Sequence, residues 1–133
     1  MFALSAGLTQ RLDVWTHRTW SLCVTRESIE HAGITASEVE GIWLGQLNGG
    51  FSPEIFASSL VLQADEGLRW KPATRVENAC ASGAAALYAA CDAIEAGRAR
   101  IALVVGAEKM TAVSGAETTR ILGNASYVKE EAA

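Results

Sequence analysis

The chain has 133 residues, half of them apolar, with 11 Lys or Arg against 15 Asp or Glu and a net charge of −4. That size fits one domain or part of one, and the apolar share excludes a disordered chain. The charges form no basic stripe, which argues against nucleic-acid binding, and the longest uncharged run, Asn78 to Cys91, is too short to span a bilayer. The first residues lack a basic segment, an apolar stretch and a small-residue cleavage site in that order, so secretion is not indicated.

In chain order, "FALSA" at 2–6 is a strand candidate before Gly7. From Val14 to His31 the pattern is helical, with Trp20, Cys23, Val24 and Glu27 at i, i+3, i+4 and i+7. Gly33 followed by Ile34 reads as a glycine stop with an apolar contact. Thr35-Ala36-Ser37-Glu38 is a capping box that opens a short turn. "GIWLGQL" at 41–47 is an apolar strand, broken by Asn48-Gly49-Gly50. Ser52-Pro53 supplies a cap and a first turn for a second helix over Ile55, Phe56, Ser59 and Leu60, as far as Gln63. A loop at 67–72 precedes a strand at 73–78, and a third helix runs from Ala81 to Ala96 with Gly97 as its stop. "IALVVGA" at 101–107 is apolar throughout, which suits a parallel strand covered on both faces. Residues 112–133 turn polar and show no clear periodicity.

This β-α-β-α-β-α-β order predicts an α/β fold with a mostly parallel sheet of about four strands and right-handed crossovers. The third helix is unusual. From Ala81 to Cys91 it is apolar or small on every side, where a surface helix shows one apolar stripe. It is expected to be buried nearly all round, between two layers, and a single four-stranded sheet supplies only one of them.

Cysteines stand at 23, 80 and 91. An odd count without CxxC spacing argues against a disulfide framework and against a zinc site, so no metal is expected. Cys80 and Cys91 would sit on one helical face but about 16 Å apart along the axis, too far to bridge. A reducing, cytoplasmic compartment is the simplest home. Strand, turn and helix bring Cys80 close to a helix N-terminus, where orphan N–H groups favour a thiolate and can stabilise an oxyanion. Small neighbours, Ala79, Ala81 and Gly83, leave room around the sulfur, and Asn78 and Ser82 can shape the turn. A buried cysteine is more often inert packing, so the spacing alone leaves both roles open. Cys23 and Cys91, inside apolar helical patterns, read as core.

The block "VENACASGAAALYAACDAIEAGRARIALVVGAEKMT", residues 76 to 111, closely resembles the nucleophile region of thiolases. The branch is that of the sterol-carrier-protein type and the related bacterial and archaeal acetyl-CoA acetyltransferases. Asn78, the "CASG" at 80–83, Ile94, Gly97 and Ala99, the "GAEKMT" at 106–111 and "VEGIWLG" from Val39 carry the likeness. It covers most of this chain but only about the first third of a thiolase. The resemblance implies the thiolase fold: two similar halves, each with a five-stranded sheet, stacked around buried helices. This chain would supply four strands of the first half in the order 3-2-1-4. Residues 1–111 would be a partial N-terminal domain, and 112–133 the truncated start of a loop domain.

The resemblance further implies that Cys80 is acylated by an acyl-CoA thioester, in Claisen condensation or thiolysis of a 3-ketoacyl-CoA. The Cys80 N–H would donate to the oxyanion, Gly83 would permit close helix packing, and Glu108 and Met110 would shape the base of the site. Coenzyme A thioester would be a substrate, with no tightly bound cofactor. A second copy, or the remainder of a thiolase chain, would be the protein partner, with residues 53 to 77 at the dimer interface. The family's Gly-His-Pro and Cys-x-Gly motifs do not occur in these 133 residues. His17 and His31 fall on the first helix and are not convincing general bases, so the chain alone is expected to be inactive. A non-catalytic thiolase-fold module for oligomerisation or acyl binding is the alternative. A ketoacyl synthase uses a similar cysteine turn, but "CASG" with "EKMT" favours thiolase.

Overall fold

The computed structural model describes residues 17–126, with side chains from residue 21 onward. The strand candidate at 2–6 and the side chain of His17 lie outside this range. Helix α1 (His17–Ala32) ends as expected at Gly33, where φ is +65°. The Gly33 N–H donates to the Glu30 carbonyl at 3.0 Å, satisfying a last-turn acceptor. The capping box also forms: the Thr35 N–H donates to the Glu38 carboxylate at 2.8 Å across a single 3-10 turn, Ala36–Glu38.

Three parallel strands follow: β1 (Gly41–Gly45), β2 (Ala73–Val76) and β3 (Ala102–Gly106), in the spatial order β2-β1-β3. Ile42 stands opposite both Ala73 and Leu103. This corrects the expected order. The order implied by resemblance inserts 2–6 between 41–47 and 101–107, but β1 pairs directly with β3 over its whole length. The physical reason is polarity. β1 is almost entirely buried and takes the centre, whereas Thr74 and Arg75 make β2 fit for an edge.

Side chains alternate along the strands. Ile42, Leu44, Leu103 and Val105 face one core together with Val61 and Leu68, and Leu22, Val24 and Ile29 of α1 pack against it. Each such buried aliphatic side chain contributes about 1.5–3 kcal/mol, against about 0.8 kcal/mol for a methyl-sized group. This face therefore carries most of the apolar stabilisation. On the other face, β1 packs against α3 (Ser82–Glu95), with Gly45 meeting its first turn.

The second helix is shorter than expected: α2 is only Ser58–Val61, running on as a 3-10 turn over Leu62–Ala64. Ser52 does not cap it. The Asn48 side chain accepts the Ser52 N–H at 3.0 Å and donates to the Glu54 carbonyl at 3.1 Å. Those backbone groups are thereby committed to a turn before a helix can use them. Phe51, 2% exposed, anchors the segment.

The expectation for α3 is also corrected. Only Ser82, Ala86, Ala90 and Ala93 are buried, a single stripe, while Tyr88 is 71% exposed. The described residues contain one sheet, so the opposite face of α3 meets solvent. Lastly, the region after 112, read as non-periodic, holds helix α4 (Gly115–Gly123). Ser114 Oγ accepts the Glu117 N–H at 3.3 Å, and Ile121 is buried beside Gly49 and Gly50.

Candidate active site

The strands are parallel, so all three finish on one edge of the sheet, called here the upper edge. Open parallel sheets bind ligands outside this edge. The loops that leave it carry Gln46 to Gly50 after β1, Glu77 to Ala81 after β2, and Ala107 to Met110 after β3.

Cys80 sits in the loop after β2, immediately before Ala81, the N-cap of α3, and it is exposed. The turn that presents it is strained and locked. Ala79 has φ +46°, a left-handed conformation that costs an L-residue roughly 1–2 kcal/mol. Ser82, buried at the start of α3, holds that conformation from inside. Its Oγ accepts the Asn78 N–H at 2.8 Å and donates to the Ala79 carbonyl at 2.7 Å. The Glu77 carboxylate accepts the Ala79 N–H at 2.6 Å, and the Ala81 N–H donates to the Asn78 carbonyl at 2.9 Å. Strain that persists because neighbours over-determine it is characteristic of functional sites.

The other two cysteines differ. Cys23 is half-buried, and its Sγ donates to Glu27 Oε1 at 3.5 Å. Burial first, and then Glu27, pushes the Cys23 thiol up, so it stays protonated. Cys91 is half-buried on α3.

The close packing that the resemblance assigns to Gly83 falls on Gly45 instead. A Cβ on Gly83 would meet nothing within 4 Å among the described residues, whereas one on Gly45 would lie 2.7 Å from the Ser82 carbonyl oxygen and 2.8 Å from the Gly83 Cα. The end of β1 therefore touches the first turn of α3 backbone to backbone. The sequence held a signal for Gly45 that was not used: a glycine inside a strand marks close backbone approach.

Glu108 reaches across from the β3 loop, and its Oε2 accepts the N–H groups of Leu47 at 2.9 Å and Asn48 at 3.1 Å. From the opposite side, Arg75 Nη1 donates to the carbonyls of Gln46 at 3.2 Å and Leu47 at 3.3 Å. Arg75 was not singled out in the sequence. Met110 lies further along the β3 loop, 37% exposed.

His31 belongs to the other edge. It ends α1, just before the chain enters β1, and a five-residue strand of about 16 Å separates that end from the Cys80 end. Among the described residues, no group of three or more His, Cys, Asp or Glu could hold a metal ion, and no helix is long and apolar enough to cross a membrane.

Residues 9–133 match the family model described as the thiolase N-terminal domain. This chain belongs to the thiolase family. It is 34% identical over 129 residues to an acetyl-CoA acetyltransferase of Methanocaldococcus jannaschii, covering 95% of this chain and 32% of that protein. It is 40% identical over 88 residues to an acetyl-CoA acetyltransferase of Methanothermobacter thermautotrophicus, covering 65% of this chain and 22% of that one. The chain thus spans less than a third of the relatives it matches. As a thiolase N-terminal domain, it contains the cysteine turn and the sheet edge that supports it.

Proposed function

We propose that this chain carries the nucleophile half of an acyl-CoA C-acyltransferase, with Cys80 as the acyl acceptor. The observation that supports this reading best is the exposed Cys80 on a strained turn locked by Ser82, in a thiolase-family chain. In the first step Cys80 Sγ attacks the thioester carbonyl. A new S–C bond forms, the bond between the acyl carbon and the coenzyme A sulfur breaks, and coenzyme A leaves as a thiol with the proton that Cys80 gave up. The Cys80 N–H is the donor proposed for the oxyanion.

Completing a cycle, by Claisen condensation or by thiolysis of a 3-ketoacyl-CoA, requires a base and a proton donor. We infer that a second chain or further thiolase sequence provides them, with residues 1–111 as the partial N-terminal domain and 112–133 leading into a loop domain. Exposed α3 is the natural surface for such a partner to cover. Treatment of the 133-residue chain with acetyl-CoA is expected to leave one acetyl group on Cys80, located by peptide mapping, with little or no turnover. Cys80→Ser is expected to abolish the label, and a label at Cys23 or Cys91 instead would sink the reading. Because His31 lies at the opposite edge, a non-catalytic acyl-binding or oligomerisation module is the second reading. It predicts acyl-CoA binding that survives Cys80→Ala without any acyl transfer in the parent chain.

A further inference from the structure

We propose that Glu108 is a positioning residue for the Cys80 turn, acting through the peptide that leaves β1; the inference rests on the acyl-transfer reading above. One carboxylate oxygen, Oε2, takes both the Leu47 and the Asn48 N–H, from a residue some sixty positions away in sequence. Arg75 takes the Gln46 and Leu47 carbonyls from the β2 side. The segment 46–48 is thus held between an anion on its N–H groups and a cation on its C=O groups. Charge-assisted bonds of this kind are roughly twice as strong as neutral ones.

The segment continues directly into Gly45, and Gly45 has no slack. A Cβ there would lie within 3.0 Å of three backbone atoms of Ser82 and Gly83. A shift at 46–48 is therefore passed to the first turn of α3, which contains Ser82. Ser82 in turn fixes Asn78 and Ala79, the residues that set the direction of Cys80. The path from Glu108 to the sulfur runs entirely through short bonds and backbone contact. Asn48 adds a local reason for the clamp: it is buried with φ +56°, a conformation that needs external support.

The experiment compares two reactions of Cys80 in the full 133-residue chain. Both reactions, attack on acetyl-CoA and alkylation by iodoacetamide, need the thiolate and access to it, but attack on acetyl-CoA also depends on how the turn aims the sulfur and the oxyanion donor, so the ratio of the two isolates the aiming. In Glu108→Ala the ratio of acetylation to alkylation at Cys80 is expected to fall about tenfold, the scale of a sub-ångström misplacement of a reacting group. Glu108→Gln, whose amide oxygen can still accept both N–H groups, is expected to restore the ratio to within about twofold. If Glu108→Ala does not fold, Glu108→Asp takes its place, since a side chain one methylene shorter cannot reach both amides. An unchanged ratio in folded Glu108→Ala or Glu108→Asp, with only a lower Tm, overturns the positioning role. Absence of acetylation in the parent chain overturns instead the reading on which this role rests.

Discussion

The two edges of the same three-stranded sheet are built differently. At the lower edge, where the strands begin, Glu40 and Arg100 tie β1 to β3 mainly charge to charge, with Nη2 to Oε1 at 2.8 Å and Nε to Oε1 at 3.1 Å, while Glu40 Oε2 also accepts the Arg100 N–H at 2.6 Å. The nearby left-handed positions are mostly glycines, Gly33 and Gly97, which adopt them at no steric cost. At the upper edge, Glu108 and Arg75 grip backbone amides and carbonyls, and beside Gly49 and Gly50 the left-handed positions include Asn48 and Ala79. Charged side chains spent on each other hold strands together. Charged side chains spent on the backbone hold a particular loop conformation, and the loop held here is the one beside Cys80.

The sharpest way to break that contrast is at the two β1 glycines. An added Cβ at Gly41 would have as its nearest atoms the far edge of the Trp43 ring, at 2.6 Å, and Trp43 is a half-buried side chain. At Gly45 it would meet the backbone of α3, which cannot yield without separating sheet and helix. Gly45→Ala is therefore expected to lose about 3 kcal/mol by overpacking. Gly41→Ala is expected to lose about 1 kcal/mol, the cost of one displaced rotamer. Chemical denaturation of both variants checks this, and equal losses would mean that the upper edge is no tighter than the lower.

The next effect is kinetic. Cys80 is exposed, whereas Cys23 is half-buried and kept protonated by burial and Glu27. Brief iodoacetamide treatment near neutral pH is expected to label Cys80 at least about tenfold faster than Cys23, read by peptide mapping. Faster labelling at Cys23 or Cys91 would contradict the assignment of Cys80 as the accessible sulfur.

These contrasts also show what the sequence could reveal. The glycine stops at Gly33 and Gly97, the capping box at Thr35, the apolar strands and the cysteine turn were all legible, because each is a local pattern read within a few residues. The Glu108 and Arg75 contacts were not, since both join segments that pairing alone brings together. The short α2 was missed because Asn48, several residues upstream, takes the Ser52 N–H and the Glu54 carbonyl, so the Glu54 N–H that Ser52 Oγ accepts at 3.3 Å belongs to a turn and not to a helix. The all-round burial expected for α3 followed correctly from its composition, but burial also needs a neighbour, and the described residues supply one sheet. Helix α4 was legible after all: Ser114 and Glu117 have capping-box spacing, overlooked in a polar stretch.

A smaller effect separates strain that serves the site from strain that does not. Ala79 at φ +46° and Trp70 at φ +65° are both left-handed, and Trp70, 95% exposed, stands just ahead of β2 at the lower edge. Replacing either with glycine removes the steric penalty but adds freedom to the unfolded chain, so each is expected to change stability by less than about 1 kcal/mol. Only Ala79→Gly is expected to lower acetylation of Cys80, by severalfold, because it releases the turn. An equal loss in Trp70→Gly would detach the chemistry from the upper-edge geometry.

The lower-edge tie gives the smallest effect and a distinct pH signature. Hydrogen bonds from the Arg100 side chain and then its N–H hold the Glu40 carboxyl below its ordinary 4.5. A folded-state value below the unfolded one means that the contribution is complete above about pH 4.5 and fades as the pH falls through the depressed value. Arg100 is exposed and Glu40 only half-buried, so screening keeps the contribution small. Glu40→Gln is therefore expected to lower Tm slightly at pH 7, with the gap to the parent chain closing by pH 3. The same substitution is expected to leave the acetylation-to-alkylation ratio at Cys80 unchanged, because a tie at the beginning of β1 and β3 does not touch the segment that leaves β1. A Glu40→Gln variant that altered the ratio as Glu108→Ala does would show that the two edges move as one body, and that the sheet as a whole, not the clamp at its upper edge, aims the cysteine.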